Sequence, residues 1–311
     1  MHSRRTLLQL GLTAATLPAW GGFAAIAAGA PAGGCAGKSA DGDAAGVRLG
    51  VQTYSFREWV GKPGDMTDKM IAAMRQLGIT ECEMWEPSLF PAGIWPPGDN
   101  YREAVRQWRL STGLDDIKAH AARLKAAAIR VFAFNYGLDD KCTDEEVTRG
   151  IEMTHALNAR VMTVSTTLTM ARRSVPFFEK AGLPLALHGH SKVADPNQFA
   201  TPASFEAGLA MSKLYRVNLD IGHFTAGGFD PVEFIESHHD RITNLHVKDR
   251  KRHDGDNTPF GQGDTPIRPV MQLLKRKHYP IPAYIEYEYA GTGTPTEEVG
   301  KCLAYVREAL T

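Results

Sequence analysis

Four ionisable residues in the second half of the chain each stand directly after a short apolar run: His188 after Leu185-Ala186-Leu187, Asp220 after Val217-Asn218-Leu219, His246 after Thr243-Asn244-Leu245, and Glu286 after Ala283-Tyr284-Ile285. Two imidazoles and two carboxylates brought together would form a mixed nitrogen and oxygen site suited to manganese, zinc, cobalt or iron, and less to calcium. One divalent ion held there can grip a carbonyl and its neighbouring hydroxyl. It would stabilise the enediolate left when the proton between them departs. Glu286, Lys248 and Glu288 are the candidates for moving that proton, and Tyr54 is a candidate for binding the substrate.

Bringing these residues to one place requires a particular architecture. Strand-like runs occur at Val47–Tyr54, Ile79–Trp85, Ile129–Asn135, Arg160–Thr166, Pro184–His188, Arg216–Asp220, Ile242–Val247 and Ala283–Tyr287. Amphipathic stretches lie between them at Met66–Leu77, Leu114–Ala128, Glu145–Leu157, Pro202–Leu214 and Ile267–Lys277, and the chain closes on Thr296–Leu310. Such alternation implies parallel strands with crossover helices, and the chain from Val47 onward matches the roughly 250 residues of a (β/α)8 TIM barrel. No Gly-x-Gly-x-x-Gly turn follows the first strand, which argues against a doubly wound dinucleotide-binding sheet. In a barrel the carboxyl ends of the strands converge on one open face, and there the sequence places Tyr54, Glu83, Trp85, Glu86, His188, His190, Asp220, His223, His246, Lys248, Glu286 and Glu288.

The 311 residues are 43% apolar and 23% charged, which suits a globular core. Thirty-five basic and 35 acidic residues cancel, so no net field exists to gather nucleic acid. Four cysteines without close spacing exclude a zinc ribbon or a dense disulfide framework. The first 30 residues, with Arg4-Arg5 ahead of a weakly apolar stretch, resemble a twin-arginine export signal and imply a periplasmic protein with no membrane span. Ala32-Gly33-Gly34-Cys35 looks like a lipoprotein box without its leucine, which weighs against lipid anchoring. Residues 31–46 are small and polar and read as a flexible linker.

The stretches VRLGVQTYSFRE, GITECEMWE, LPLALHGH, VNLDIGHF, NLHVKDRKR, FGQGDTPI and AYIEYE resemble the sugar phosphate isomerase/epimerase family with a xylose-isomerase-like TIM barrel, over residues 47–310. The resemblance implies Asp220, His246 and Glu286 as ligands of one divalent ion, and His223 and Arg252 as substrate-binding residues. It departs from the family at the fifth strand, where His188-Gly189-His190 stands in place of the usual glutamate. A metal-bound imidazole has no lone pair left to act as a base. The His-x-His pattern resembles the branch with inosose dehydratase and the hydratases or lyases of 3-oxo-sugars. Two chemistries are therefore expected: isomerisation or epimerisation of a sugar, and elimination or hydration beside a ketone. A periplasmic sugar-binding protein would need two lobes and no metal, against the unbroken eightfold alternation.

Among the remaining residues, Glu83 and Trp85 are expected to meet sugar hydroxyls and an apolar sugar face, with His190 nearby. The glycines of Phe260-Gly261-Gln262-Gly263-Asp264 permit a turn that presents Gln262 to substrate.

Overall fold

The computed structural model describes residues 43–311. The expected export segment, Cys35 and most of the expected linker lie outside the described residues. Asp43–Ala44 pairs antiparallel with Val47–Arg48 through a turn in which Ala45 and Gly46 have positive φ, so ordered pairing begins just before Val47.

Eight parallel strands close a barrel: β1 (Val47–Gln52), β2 (Glu81–Trp85), β3 (Arg130–Asn135), β4 (Val161–Ser165), β5 (Leu185–His188), β6 (Tyr215–Asp220), β7 (Ile242–Val247) and β8 (Ala283–Ile285). Each pairs with the next, and β8 and β2 both pair with β1. The crossovers carry α1 (Met66–Leu77), α2 (Tyr101–Ser111), α3 (Leu114–Ala126), α4 (Asp144–Ala156), α5 (Leu168–Ala181), α6 (Pro202–Leu209), α7 (Ile221–Ala226), α8 (Pro231–His238), α9 (Ile267–Lys277) and α10 (Pro295–Ala309). Four of these (α2, α5, α7 and α8) were not named from the sequence. The short α7 begins directly on the last residue of β6, leaving no loop for a pattern search to detect. Among the described residues no helix is long and apolar enough to cross a membrane.

Because side chains alternate along a strand, the barrel interior is layered. Phe132, Ala133, Val161, Ala186 and Tyr284 form a plug near its amino end, with the Tyr284 hydroxyl donating to Glu81 Oε1 at 2.5 Å. Gly50 on β1 makes room for that ring, since a Cβ there would lie 2.5 Å from Tyr284. Two residues further along the strands come Glu83, Thr163, Asn218 and Asn244, all buried. Two more bring Asp220 and His246 to the carboxyl-end layer, where His188 and Glu286 stand two residues beyond Ala186 and Tyr284 of the plug.

Outside the barrel, Glu146 of α4 binds three guanidinium groups: Arg102 through both oxygens at 2.8 and 3.0 Å, Arg106 at 3.3 Å and Arg109 at 3.0 Å. Burial opposes its ionisation, but the hydrogen bonds from Arg102, the Thr143 N–H and Arg109 bring its carboxyl down to about 2. Removing one member of a buried ion network strands the others, so Glu146→Ala should lower stability by about 3 kcal/mol in denaturant unfolding at neutral pH. A loss below about 1 kcal/mol, the scale of an exposed pair, would contradict this. Since the folded-state value is depressed, the carboxylate's contribution is complete above its ordinary 4.5 and fades as pH falls from there toward about 2.

Candidate active site

The four expected ligands meet at the carboxyl end of β5 to β8. Donor atoms of His188, Asp220 and His246 lie within 4.8 Å of one another. Glu286 Oε2 is 3.2 Å from His246 Nδ1. All four residues are buried, none more than 6% exposed.

Neighbouring groups decide which atom each ligand offers. His188 Nδ1 lies 2.8 Å from Asn218 Oδ1, a pure acceptor, so Nδ1 carries the proton and Nε2 keeps its lone pair. Asp220 caps α7, its Oδ1 accepting the His223 N–H at 2.7 Å, which leaves Oδ2 for the site. His246 Nε2 lies 2.9 Å from Glu83 Oε2, so its Nδ1 is the free atom. Three buried atoms here have no hydrogen-bond partner: Asp220 Oδ2, His246 Nδ1 and Glu286 Oε2. Two of them, Asp220 Oδ2 and Glu286 Oε2, share a single cation, the Lys248 ammonium at 3.1 and 2.9 Å, and buried acceptors crowded in this way have capacity for a further, bound cation. Charge agrees: four acidic side chains (Glu83, Asp220, Glu286 and Glu288) lie around one ammonium, Lys248, and the His246 ring. The donor set of two imidazoles and two carboxylates fits a divalent transition ion or zinc.

Lys248 continues inward from β7 and is 2% exposed. Its ammonium lies 3.1 Å from Asp220 Oδ2, 2.9 Å from Glu286 Oε2 and 2.5 Å from Glu288 Oε2. Burial disfavours its charge, but these carboxylates outweigh that and hold it protonated. Gly222 in the Leu-Asp-x-x-His stretch permits this placement, because a Cβ there would lie 2.3 Å from Lys248 Cγ. Burial, opposed by Lys248 and assisted by Glu286, raises the Asp220 carboxyl to about 7.

His223 is held from behind by Arg250, whose Nη1 is 2.6 Å from His223 Nδ1. A guanidinium only donates and burial keeps the ring neutral, so the closer contact makes Nδ1 the acceptor and leaves the ring proton on Nε2, which faces the site with the Lys248 ammonium a longer 3.3 Å away. That proton makes the alternative trio of His188, His190 and His223, whose nitrogens also converge, the poorer metal site. His190 is likewise neutral, lowered to about 4 by burial and by Lys248.

Three expectations change. Glu83, expected at the substrate, is fully buried beneath the ligands, with both oxygens occupied by Gln52, Thr163, Asn244 and His246. Its role is to orient His246, as carboxylates behind metal-binding histidines do. Arg252 is exposed, and its backbone N–H donates to Asp264; the arginine that reaches the site is Arg250, 8% exposed. Gln262 is exposed and lines a separate cavity with Tyr289 and Tyr305. The loop bearing it is tied down by Asp249, whose carboxylate accepts the N–H groups of Gly261, Gly263 and Thr265. Trp85 and Tyr54 stand at the barrel mouth with ring centroids 4.8 Å apart. The sequence reading missed Gln52, Thr163, Asn218, Asn244 and Arg250. The period-two rule would have found two of them, since Asn218 and Asn244 each precede a ligand by two residues.

Residues 71–309 match the family model described as xylose isomerase-like TIM barrel. The chain belongs to this family. No curated protein matches the chain in sequence. Solved structures of similar fold include the 3-keto-D-glucoside 4-epimerase YcjR of E. coli, at 13% identity over 84% of this chain and 99% of that one, with a TM-score of 0.61. The IolI protein with a bound zinc atom aligns at 15% identity over 84% and 97% of the two chains, TM-score 0.61. A structure titled as the probable 3-DHS dehydratase AsbF of Bacillus anthracis aligns at 15% over 81% and 97%, TM-score 0.59. At these identities the likeness is one of fold. Structures of similar fold are titled as epimerases, a sugar phosphate isomerase/epimerase and a probable dehydratase.

Proposed function

We propose that the protein is a metal-dependent enzyme that removes the proton beside the carbonyl of a sugar or oxo-sugar, with isomerisation or epimerisation as the outcome. The observation that carries this reading is the convergence of Asp220 Oδ2, His246 Nδ1 and Glu286 Oε2, buried and without a well-formed hydrogen bond, beside the free Nε2 of His188. One divalent ion bound there (manganese, zinc, cobalt or iron) would polarise the carbonyl. Glu286 takes the proton. Lys248, kept charged by its three carboxylates, donates to a substrate oxygen, and the Nε2–H of His223 donates to another. Tyr54, whose phenol burial and Glu288 hold neutral, adds a further donor, and Trp85 covers an apolar ring face.

A second reading, elimination or hydration beside a ketone, is favoured by one feature. His188, His190 and His223 cluster with ring centroids 4.9 to 5.9 Å apart and are all neutral, so this group supplies no carboxylate as a second base. The paired arginines Arg4-Arg5 support export from the cytoplasm under either reading, to a compartment where unphosphorylated sugars are the expected substrates.

The test is metal analysis together with incubation of the metal-loaded protein in deuterated water with ketoses, 3-oxo-glucosides and 2-oxo-inositol, followed by NMR. Near-stoichiometric metal, lost in His246→Ala, and deuterium entering beside the carbonyl are expected. Inverted product identifies an epimerase, and an unsaturated ketone a lyase. Metal content unchanged in His246→Ala, or no exchange on any compound, would overturn the proposal.

A further inference from the structure

The barrel mouth carries a feature that the proton chemistry leaves unused. Tyr54, Trp85, Trp95 and Tyr101 form a chain of edge-to-face rings with centroids 4.8, 4.9 and 6.1 Å apart. At one end the chain touches the catalytic layer, because Arg57 lies over the Tyr54 ring at 4.8 Å and donates to the backbone carbonyl of Glu288. At the other it borders a cavity of about 250 Å³, room for one hexose ring, lined by Trp85, Tyr101, Asn135, Asp139 and Ser165. Strand register sets this cavity against the ligands. Ser165 is the direct neighbour of His188 across β4 and β5, and adjoining strands are about 4.8 Å apart.

The cavity floor holds charge, but that charge is already paired. Arg109 binds both Glu86 oxygens at 2.6 Å, the Gly137 carbonyl at 2.6 Å and Glu146 at 3.0 Å, and its guanidinium lies over the Tyr136 ring at 4.0 Å. Arg102 is engaged by both oxygens of Glu146. Among the described residues lining the cavity, no cation is left to balance a phosphate or carboxylate, and Arg102 also faces Asp139 at 3.8 Å. The walls offer aromatic faces, an amide, a hydroxyl and the Asp139 carboxylate, which suit the C–H faces and hydroxyl edges of a neutral pyranose.

We propose that this cavity receives the second ring of a glycoside, so that the substrate is a neutral oxo-glycoside or oxo-disaccharide whose reacting ring lies at His188, Asp220, His246 and Glu286. Only the placement of the reacting ring rests on the function proposed above.

The test is calorimetric titration of the metal-loaded full chain with glucose, maltose, cellobiose, trehalose and glucose 6-phosphate. At least one disaccharide should bind about tenfold tighter than glucose, a gain on the scale of one added stacking contact. Tyr101→Ala, which removes a wall, and Asp139→Trp, which fills the cavity from the loop side, should each erase most of that gain while leaving glucose binding and metal content in place. Two variants guard against one of them misfolding. No gain for any disaccharide, an equal loss for glucose and disaccharide in both variants, or tightest binding of glucose 6-phosphate would overturn the proposal. Binding needs no turnover, so the two proposals fail separately. A disaccharide preference without proton exchange would sink the enzymatic reading alone, and exchange on monosaccharides without that preference would sink this one.

Discussion

Glu286→Gln should lower the rate of proton exchange beside the substrate carbonyl by about 10³-fold, within the range that a positioned general base contributes. Glutamine keeps the shape but loses both the charge and the proton-accepting oxygen. The effect should be large because no other carboxylate is equivalent. Asp220 is committed through Oδ1 to the start of α7, Glu83 is sealed beneath the ligands, and Glu288 takes the shortest Lys248 contact, 2.5 Å against 2.9 Å for Glu286. The variant still has Asp220 and Glu288 around the Lys248 ammonium, so the protein should fold. Exchange measured in deuterated water at saturating metal separates loss of the base from loss of the ion, and Glu286→Asp should recover part of the rate. A Glu286→Gln protein exchanging at near the unmodified rate would remove this residue from the chemistry and shift attention to Glu288.

Glu83→Gln should weaken metal affinity by about 10- to 100-fold, the usual cost of losing an outer partner behind a metal-binding histidine. Glu83 Oε2 accepts from His246 at 2.9 Å and from the Asn244 amide at 2.7 Å, and Oε1 accepts from Thr163 at 2.6 Å and Gln52 at 3.0 Å. A glutamine can keep one of these oxygens as an acceptor, but it turns the other position into a donor facing donors. His246 then loses the carboxylate that fixes its ring and raises its basicity. With metal saturating, KM should be unchanged, because Glu83 is out of reach of any substrate. The opposite result, a raised KM with metal affinity intact, would return Glu83 to the substrate contact that its place beside Trp85 suggested.

Much of this was legible in the residue order. Eight apolar runs separated by helical periodicity require parallel strands and crossover helices, and an ionisable residue directly after a strand's apolar core must appear at the open end. Hence the barrel, the strand order and the grouping of His188, Asp220, His246 and Glu286 follow from local pattern alone. The depth of a side chain does not. Glu83 and Glu286 are both glutamates near strand ends, yet one lies a layer lower because the stagger of a closed barrel sets the height of each strand, and no single strand carries that information. Arg250 and Arg252 were indistinguishable in a basic run until the small ribbon formed by Asp249–Arg250 and Asn257–Thr258 turned the first toward His223 and left the second in solvent. The free nitrogen on His188 and on His246 was likewise decided across strands, by Asn218 and Glu83, since a tautomer follows from its hydrogen-bond partner and those partners meet only when the barrel closes.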